Sequence, residues 1–254
     1  MNPRSMSESI RLGPKPPPRG EDLPCDDGEP LETKRHRDQM NLLIDSLNEG
    51  WRDRHDFFVG GNMFLYYSET QSKRYDYRGP DVFVVLNTSD RSRKSWVVWE
   101  EDGLAPNVII ELTSETTEDI DRGPKMRIYG RLLRVPSYVI YDPYTARLDA
   151  YRFDLDHDRY EPVAPDSRGR VRCEPLGLYL GVVPGFHRNY RADAPWLRWI
   201  GEDGAVLPHP TEVADTVAER AAREGERAAR EGERADAAEQ ENARLREELE
   251  RLRR

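Results

Sequence analysis

One short apolar run with a carboxylate inside it constrains this chain more than any other feature. Residues 105–115 read APNVIIELTSE, so Glu111 lies inside the apolar series from Val108 to Leu112. Such a run is typical of a buried β-strand. An unpaired carboxylate in that position costs several kcal/mol, so the strand either pairs the charge or uses it. Taken alone, Glu111 is better explained as a strand-end or edge carboxylate that reaches solvent or an arginine.

The segments around this run predict a fold built on one sheet. A helix is predicted over Leu31–Asn48, and a second helix begins at Pro124, a residue that suits a first helical turn. The predicted strands are residues 56–68, 80–87, 107–114, 137–143 and 146–154, with further short strands at 159–164 and 176–188. The order of helix, three strands, helix and more strands predicts an α/β fold (mixed α+β) around a central sheet.

Three regions differ in composition. Seven of the 19 prolines fall within residues 1–30, so residues 1–28 are predicted to be a disordered, proline-rich leader. Residues 29–210 hold the predicted strands and helices and form the expected core domain. Residues 211–254 contain the unit REGERAA, which begins again at Arg230, and predict a long charged helix.

The end of that helix has the pattern of a coiled coil. Leu245, Leu249 and Leu252 occupy inner heptad positions together with Asn242. This spacing favours a homodimer formed through residues 235–254. Charged and glycine residues at and beside the inner positions upstream weaken the pattern, and a solvated single helix remains the alternative.

Charge and hydropathy exclude several classes of protein. The net charge of -9 argues against a protein that coats nucleic acid through a broad basic face, although a local groove remains compatible with it. No run of 18 apolar residues predicts a membrane span, and the first 20 residues lack the apolar centre of a signal peptide, so the cytoplasm is expected. Cys25 and Cys173 are far apart and predict two free thiols.

Two acidic residues and one lysine have the types and order that phosphodiester hydrolysis requires. Hydrolysis needs a hard divalent cation on oxygen ligands and a positive group near the attacked phosphate. Asp81 begins one predicted central strand and Glu111 lies in the next, so the two carboxylates and the Leu112 carbonyl are candidate ligands for Mg²⁺ (or Mn²⁺). Lys125 is one of only five lysines among 39 basic residues and lies on the apolar side of the second helix.

These residues also carry a resemblance to a known family. The segments GPDVFVV, PNVIIELTSE and DRGPKMRIYGRLLRVPSYVIYDP resemble the Uma-two family of restriction endonucleases within the PD-(D/E)xK nuclease superfamily. The resemblance covers about residues 25–190. It implies a restriction-endonuclease-like fold, with a central mixed sheet flanked by helices and a divalent metal at the acidic cluster.

The resemblance also implies roles for individual residues. The PD motif falls on Pro80-Asp81 and the second acid on Glu111, whereas Thr113 stands where the superfamily usually has lysine. The family pattern implies that this lysine has moved onto the helix as Lys125, with Tyr129 one turn further. It also implies a supporting acid from the first helix, for which Glu32 is the candidate, with His36 as a less certain neighbour.

Two functions are compatible with this sequence. The first is a metal-dependent endonuclease that cuts DNA, in which Asp81 and Glu111 hold the cation and Lys125 assists the attack of water. The second is a catalytically silent protein that keeps the nuclease fold and assembles through its C-terminal helix. No glycine-rich phosphate loop is present, which argues against a nucleotidyl- or phosphotransferase.

Overall fold

The structure is a computed structural model that describes residues 17–23, 33–68 and 77–253. Of these residues, those up to Leu207 form one compact unit and those from Pro208 form a second. The predicted domain boundaries at residues 28 and 210 stay predictions. Most of the predicted leader lies outside the described ranges, and so does Cys25.

A six-stranded mixed sheet forms the centre of the first unit. Its spatial order is β1-β4-β6-β7-β8-β9, and of these neighbours only β6 and β7 are parallel. The strands are β1 Phe57–Gly60, β4 Val82–Leu86, β6 Val108–Leu112, β7 Ser137–Tyr141, β8 Leu148–Asp154 and β9 Arg159–Pro162. Every residue of β6 and β7 is buried, as the apolar run predicts. The predicted α/β fold with a central mixed sheet is confirmed.

Helix α1, Lys34–Gly50, covers one face of this sheet. Its N-cap is Thr33, whose hydroxyl accepts the His36 N–H. Leu31 and Glu32, the first two residues of the predicted helix, lie outside the described residues. Leu43 and Leu47 pack in the same core cluster as the apolar side chains on this side of β4 and β6.

Helix α2 covers the opposite face and begins earlier than Pro124. It starts at Glu118–Ile120 and continues through two π-helical segments, Asp121–Lys125 and Ile128–Leu132. The predicted start at Pro124 was wrong, because this proline lies inside the helix. Proline has no N–H for the preceding turn, and a wider turn accommodates that missing hydrogen bond.

Two three-stranded sheets complete the first unit. The first has the order β10-β11-β12 and the second β3-β2-β5. Their strands are β2 Leu65–Tyr66, β3 Tyr77–Arg78, β5 Trp96–Val97, β10 Val171–Cys173, β11 Leu178–His187 and β12 Ala192–Ile200. Gln39 joins α1 to β12, since its side-chain amide donates to the Leu197 carbonyl and accepts the Leu197 N–H, both at 2.9 Å.

The second unit is the helix α3, Pro210–Leu252. His209 and Glu212 cap its start. The Glu212 carboxylate accepts the His209 N–H at 2.7 Å, and His209 Nδ1 accepts the Thr211 N–H at 3.2 Å. Leu245, Leu249 and Leu252 are all exposed on it. Among the helices of the described ranges, none has the length and apolar composition needed to cross a bilayer.

Candidate active site

Strand alternation places the two predicted acids on the same face of the central sheet. Along β6, Ile110 and Leu112 pack in the α1-side cluster and Ile109 packs in the α2-side cluster. Glu111 follows the alternation and points towards α2. Asp81 has the same parity as Phe83, a member of the α2-side cluster, and β4 lies next to β6. Both carboxylates therefore face α2.

Glu111 is fully buried, and both its oxygens have partners. The Tyr129 hydroxyl donates to Oε1 at 2.8 Å, and Lys125 Nζ donates to Oε2 at 3.0 Å. The Asp81 N–H lies 3.4 Å from the same Oε2. Burial raises the pKa of Glu111, and the positive charge of Lys125 opposes that rise. The acid inside the apolar strand is thus paired with the lysine that the sequence singled out.

The Pro80-Asp81 pair explains why the ladder between β4 and β6 stops here. The register pairs Val82 with Ile110, so continuing it places Pro80 opposite Leu112. Proline has no N–H to give to the Leu112 carbonyl, and the Leu112 N–H donates instead to Asp81 Oδ2 at 2.7 Å. Since the N–H and C=O of one strand residue point to the same side, the Leu112 carbonyl is directed towards the Asp81 side of β6.

Lys125 lies between two carboxylates. Its Nζ is 3.0 Å from Glu111 Oε2 and 2.9 Å from Asp121 Oδ1, and its side chain is 19% exposed. Burial alone would lower the pKa of this lysine, but the negative charges of Glu111, Asp121 and Asp81 outweigh it and raise the pKa. Lys125 is therefore held as an ammonium group at the carboxylates.

Asp121 is the buried acid that the sequence reasoning missed. It stands four residues before Lys125, which stands four residues before Tyr129, so the three residues share one side of α2. The spacing Asp-x₃-Lys-x₃-Tyr was the available signal. Asp121 was overlooked because the helix was predicted to begin after it.

His36 reaches the end of β6 from the α1 side. Its ring is buried, with Nε2 3.3 Å from the Thr113 carbonyl oxygen and Nδ1 2.9 Å from the Thr33 hydroxyl. Thr113, which stands where the resemblance led us to expect a lysine, is buried too. Glu32 lies outside the described residues, so its predicted place beside the acids stays a prediction.

An open cleft of about 770 Å³ adjoins the carboxyl ends of the parallel strands β6 and β7. Open α/β sheets commonly bind ligands at this edge. Arg122 and Arg147 line the cleft, and each forms ion pairs with Glu118 and Asp149. The other lining residues are Thr33, Thr113, Ser114, Glu115, Thr116, Glu118, Asp142, Tyr144 and Thr145.

A second group of candidate metal ligands lies at the opposite end of the sheet. In the part of the chain that the structure describes, Asp154, His157 and Glu161 bring three ligand atoms within 4.8 Å of one another. They lie in the β8–β9 hairpin, at and beyond the level where Ser137, at the amino end of β7, pairs with Arg152 of β8 and Arg152 pairs with Glu161 of β9. This group is therefore separate from Asp81 and Glu111.

Comparisons with known proteins find a matching family and a partial relative. A family described as "Putative restriction endonuclease" (Uma2) matches residues 14–183. The uncharacterized protein slr1290 of Synechocystis sp. (strain ATCC 27184 / PCC 6803 / Kazusa) is 25% identical over 107 residues, 42% of this chain and 53% of that protein. The chain thus spans about half the length of this relative.

A solved structure is also similar. It is described as a "putative nuclease belonging to DUF820" from Anabaena variabilis ATCC 29413. Its sequence is 13% identical, with a TM-score of 0.44, and the match covers 60% of this chain and 80% of that one.

The family match includes the whole of the site described above. Residues 14–183 are more than half of the 254-residue chain and contain β4, β6 and α2. The resemblance predicted from the sequence is confirmed, and the chain belongs to the Uma2 family of restriction-endonuclease-like proteins.

Proposed function

We propose that this protein is a metal-dependent endonuclease that hydrolyses DNA phosphodiester bonds. Asp81, Glu111 and the Leu112 carbonyl would hold Mg²⁺ (or Mn²⁺), with Lys125 beside them. The observation that carries the proposal is the convergence of Lys125 Nζ and the Asp81 backbone on one oxygen of Glu111. Family membership supports the nuclease class, and the reaction and its cation are our proposal.

The donor set fits a hard divalent cation. Mg²⁺ and Mn²⁺ prefer carboxylate and carbonyl oxygens, which are what Asp81, Glu111 and Leu112 offer. With the carboxylates of Asp81, Glu111 and Asp121 ionised and Lys125 protonated, these four side chains sum to two negative charges. A divalent cation matches that charge.

Each side chain has a separate task in hydrolysis. Asp81, Glu111 and the Leu112 carbonyl would hold the divalent cation, which when bound would lower the pKa of a water molecule and offset negative charge on the phosphate. The Lys125 ammonium is available to donate a hydrogen bond to a phosphate oxygen as its charge grows. Tyr129 holds Glu111 by its hydroxyl, which fixes the direction of the carboxylate.

A cleavage assay tests the proposal directly. Purified full-length protein should nick or cut plasmid DNA with Mg²⁺ or Mn²⁺ and stop when the cation is chelated. Plasmid, linear duplex and single-stranded DNA distinguish the strand preference, and an RNA of the same sequence tests the choice of DNA. If every nucleic acid remains uncut at all cation concentrations, the endonuclease is refuted and the catalytically silent interaction protein is favoured.

Asp81→Asn should weaken cation binding by about tenfold or more, since even partners of metal ligands commonly account for 10- to 100-fold in affinity. Isothermal titration calorimetry with Mn²⁺ and without DNA measures this. Asp90→Asn is the matched control, because Asp90 is an exposed residue of the loop after β4. Equal affinities of wild type and Asp81→Asn would remove Asp81 from the ligand set.

The C-terminal helix is proposed to pair with a second copy of the chain. Leu245, Leu249 and Leu252 are exposed along one heptad seam, and burying such side chains against an identical seam stabilises a coiled coil. Deleting residues 235–254 should halve the molar mass measured by light scattering, whereas exchanging Arg244 for Lys should leave it unchanged. A full-length protein with the mass of one chain would exclude this homodimer.

The cytoplasm stays the predicted place of action.

A further inference from the structure

Asp121 is the buried acid to which neither the family motif nor the metal ligand set gives a task. Its side chain is 2% exposed, and Oδ1 lies 2.9 Å from Lys125 Nζ. Within the described part of the chain, this oxygen has the ion pair but no hydrogen bond of regular geometry. Among the described contacts, Lys125 is thus the one positively charged side chain with which Asp121 forms an ion pair.

The backbone of Asp121 is fixed from two sides. Its N–H donates to the Thr117 carbonyl at 3.1 Å, and its carbonyl accepts the Tyr138 hydroxyl at 2.9 Å. Tyr138 belongs to β7, so a hydrogen bond from the central sheet holds this point of α2. A side chain on such an anchored residue can hold a partner in place without moving itself.

The two carboxylates that hold Lys125 differ in what they face. Glu111 Oε2 accepts from Lys125 and lies near the Asp81 N–H, whereas Asp121 lies one helical turn before the lysine on α2. A cation held by Glu111 would repel the Lys125 ammonium and weaken its attraction to that carboxylate. Asp121 would then be the remaining acid that attracts Lys125.

We propose that Asp121 is a positioning residue that keeps Lys125 in the active site once a divalent cation occupies Glu111. This inference rests on the proposed function, because it assumes that Glu111 is a metal ligand. Asp121 acts through Lys125 and touches neither the cation nor the DNA. It separates holding the lysine from holding the metal, two tasks that Glu111 alone could not perform together.

Three variants of the full-length protein test the proposal. Asp121→Asn removes the charge at nearly constant size, and Asp121→Glu restores the charge. Asp119→Asn is the matched control, since Asp119 lies on the same helix two residues away and is exposed. Circular dichroism and thermal melting establish that each variant is folded before the other measurements.

The first measurements separate catalysis from cation binding. Asp121→Asn should lower the DNA cleavage rate constant at saturating cation and DNA by about tenfold or more. The reason is that a misplaced Lys125 would stabilise less of the negative charge that develops on the phosphate in the transition state. Calorimetry without DNA should show its Mn²⁺ affinity within about threefold of wild type. Asp121→Glu should recover part of the rate, and Asp119→Asn should match wild type in both measurements. A tenfold loss of cation affinity in Asp121→Asn would make Asp121 a metal ligand and overturn the positioning role.

The second measurement does not require cleavage. With ¹⁵N-lysine labelling, the five lysine ammonium groups are followed by NMR, and Lys125→Met assigns the signal of Lys125. In wild type loaded with diamagnetic Mg²⁺ this ammonium should give a sharp signal, which should shift or broaden in Asp121→Asn but not in Asp119→Asn. An unchanged signal in Asp121→Asn would overturn the inference.

The two proposals fail in different ways. If wild type binds the cation and shows the expected lysine signals but cuts no nucleic acid, the positioning role stands and the endonuclease fails. If wild type cuts DNA and Asp121→Asn cuts it equally fast, the endonuclease stands and the positioning role fails.

Discussion

Replacing Glu111 by Gln is expected to reduce DNA cleavage by about 10³-fold or more. A metal centre supplies several kcal/mol of transition-state stabilisation, and each 1.36 kcal/mol corresponds to a factor of ten in rate. Gln removes the charge from the proposed ligand while leaving a carbonyl oxygen that can accept from either Tyr129 or Lys125. Because the site loses a negative charge, cation affinity should fall as well.

The measurement is the initial rate of plasmid cleavage over a Mn²⁺ titration, for wild type and Glu111→Gln at equal concentration. Glu174→Gln is the matched control, since Glu174 is exposed and lies on the β10 side of the domain. Its rate should equal that of wild type. A Glu111→Gln variant that retains full activity would show that hydrolysis, if present, occurs elsewhere.

Replacing Lys125 by Met should destabilise the metal-free protein by about 3 to 5 kcal/mol, the usual effect of removing one partner of a buried ion pair. The variant leaves Glu111, which is fully buried, without its positive partner. Chemical denaturation gives the free energy of unfolding, and Lys94→Met, at an exposed loop position, should change it little. Equal losses in the two variants would mean that Lys125 does not compensate Glu111.

The pH dependence of this loss has a defined sign. Burial raises the pKa of Glu111 above its ordinary value of 4.5, and removing Lys125 removes the charge that opposes the rise. A carboxyl group with a raised pKa in the folded state contributes stability below its unfolded pKa, and that contribution is lost as pH rises through the folded pKa. Lys125→Met should therefore become less stable as the pH rises above 4.5, the ordinary pKa of the carboxyl group, relative to the double variant Lys125→Met/Glu111→Gln. A difference between the two that is constant with pH would contradict this account.

Local patterns were sufficient to predict much of the fold. The apolar run Val108–Leu112 predicted a buried strand, and all of its residues are buried. Helical periodicity predicted the first helix over Leu31–Asn48, and α1 spans Lys34–Gly50 in the described residues. Such patterns depend on the spacing of residues within one element, which the sequence gives directly.

The start of α2 could not be predicted in the same way. Pro124 favours the first turn of a helix, but here it lies within a π-helical segment. The earlier turns are held by contacts from other elements, such as the Tyr138 hydroxyl on the Asp121 carbonyl. Tertiary contacts overrode the local preference, and the missed residue Asp121 followed from that error.

Surface chemistry was a poor guide for a comparable reason. By composition alone, the basic segment SDRSRKSW at residues 89–96 would suit contact with a DNA backbone, yet the side chain of Arg93 within it is buried. Its guanidinium group pairs with Glu101 and lies over the rings of Phe58 and Trp96. A stretch of arginines does not reveal which of them the fold will enclose.

By itself, the sequence determined the order of the elements, the burial of β6, and the types of residue at the candidate site, namely two acids and a lysine. Only the tertiary structure decided that Asp81 and Lys125 meet at one carboxylate oxygen of Glu111 and that Asp121 holds the same lysine. The reason is that residue spacing fixes the face on which a side chain lies within its own element. The register between strands, and the side on which a helix packs, depend on contacts among residues far apart in the chain.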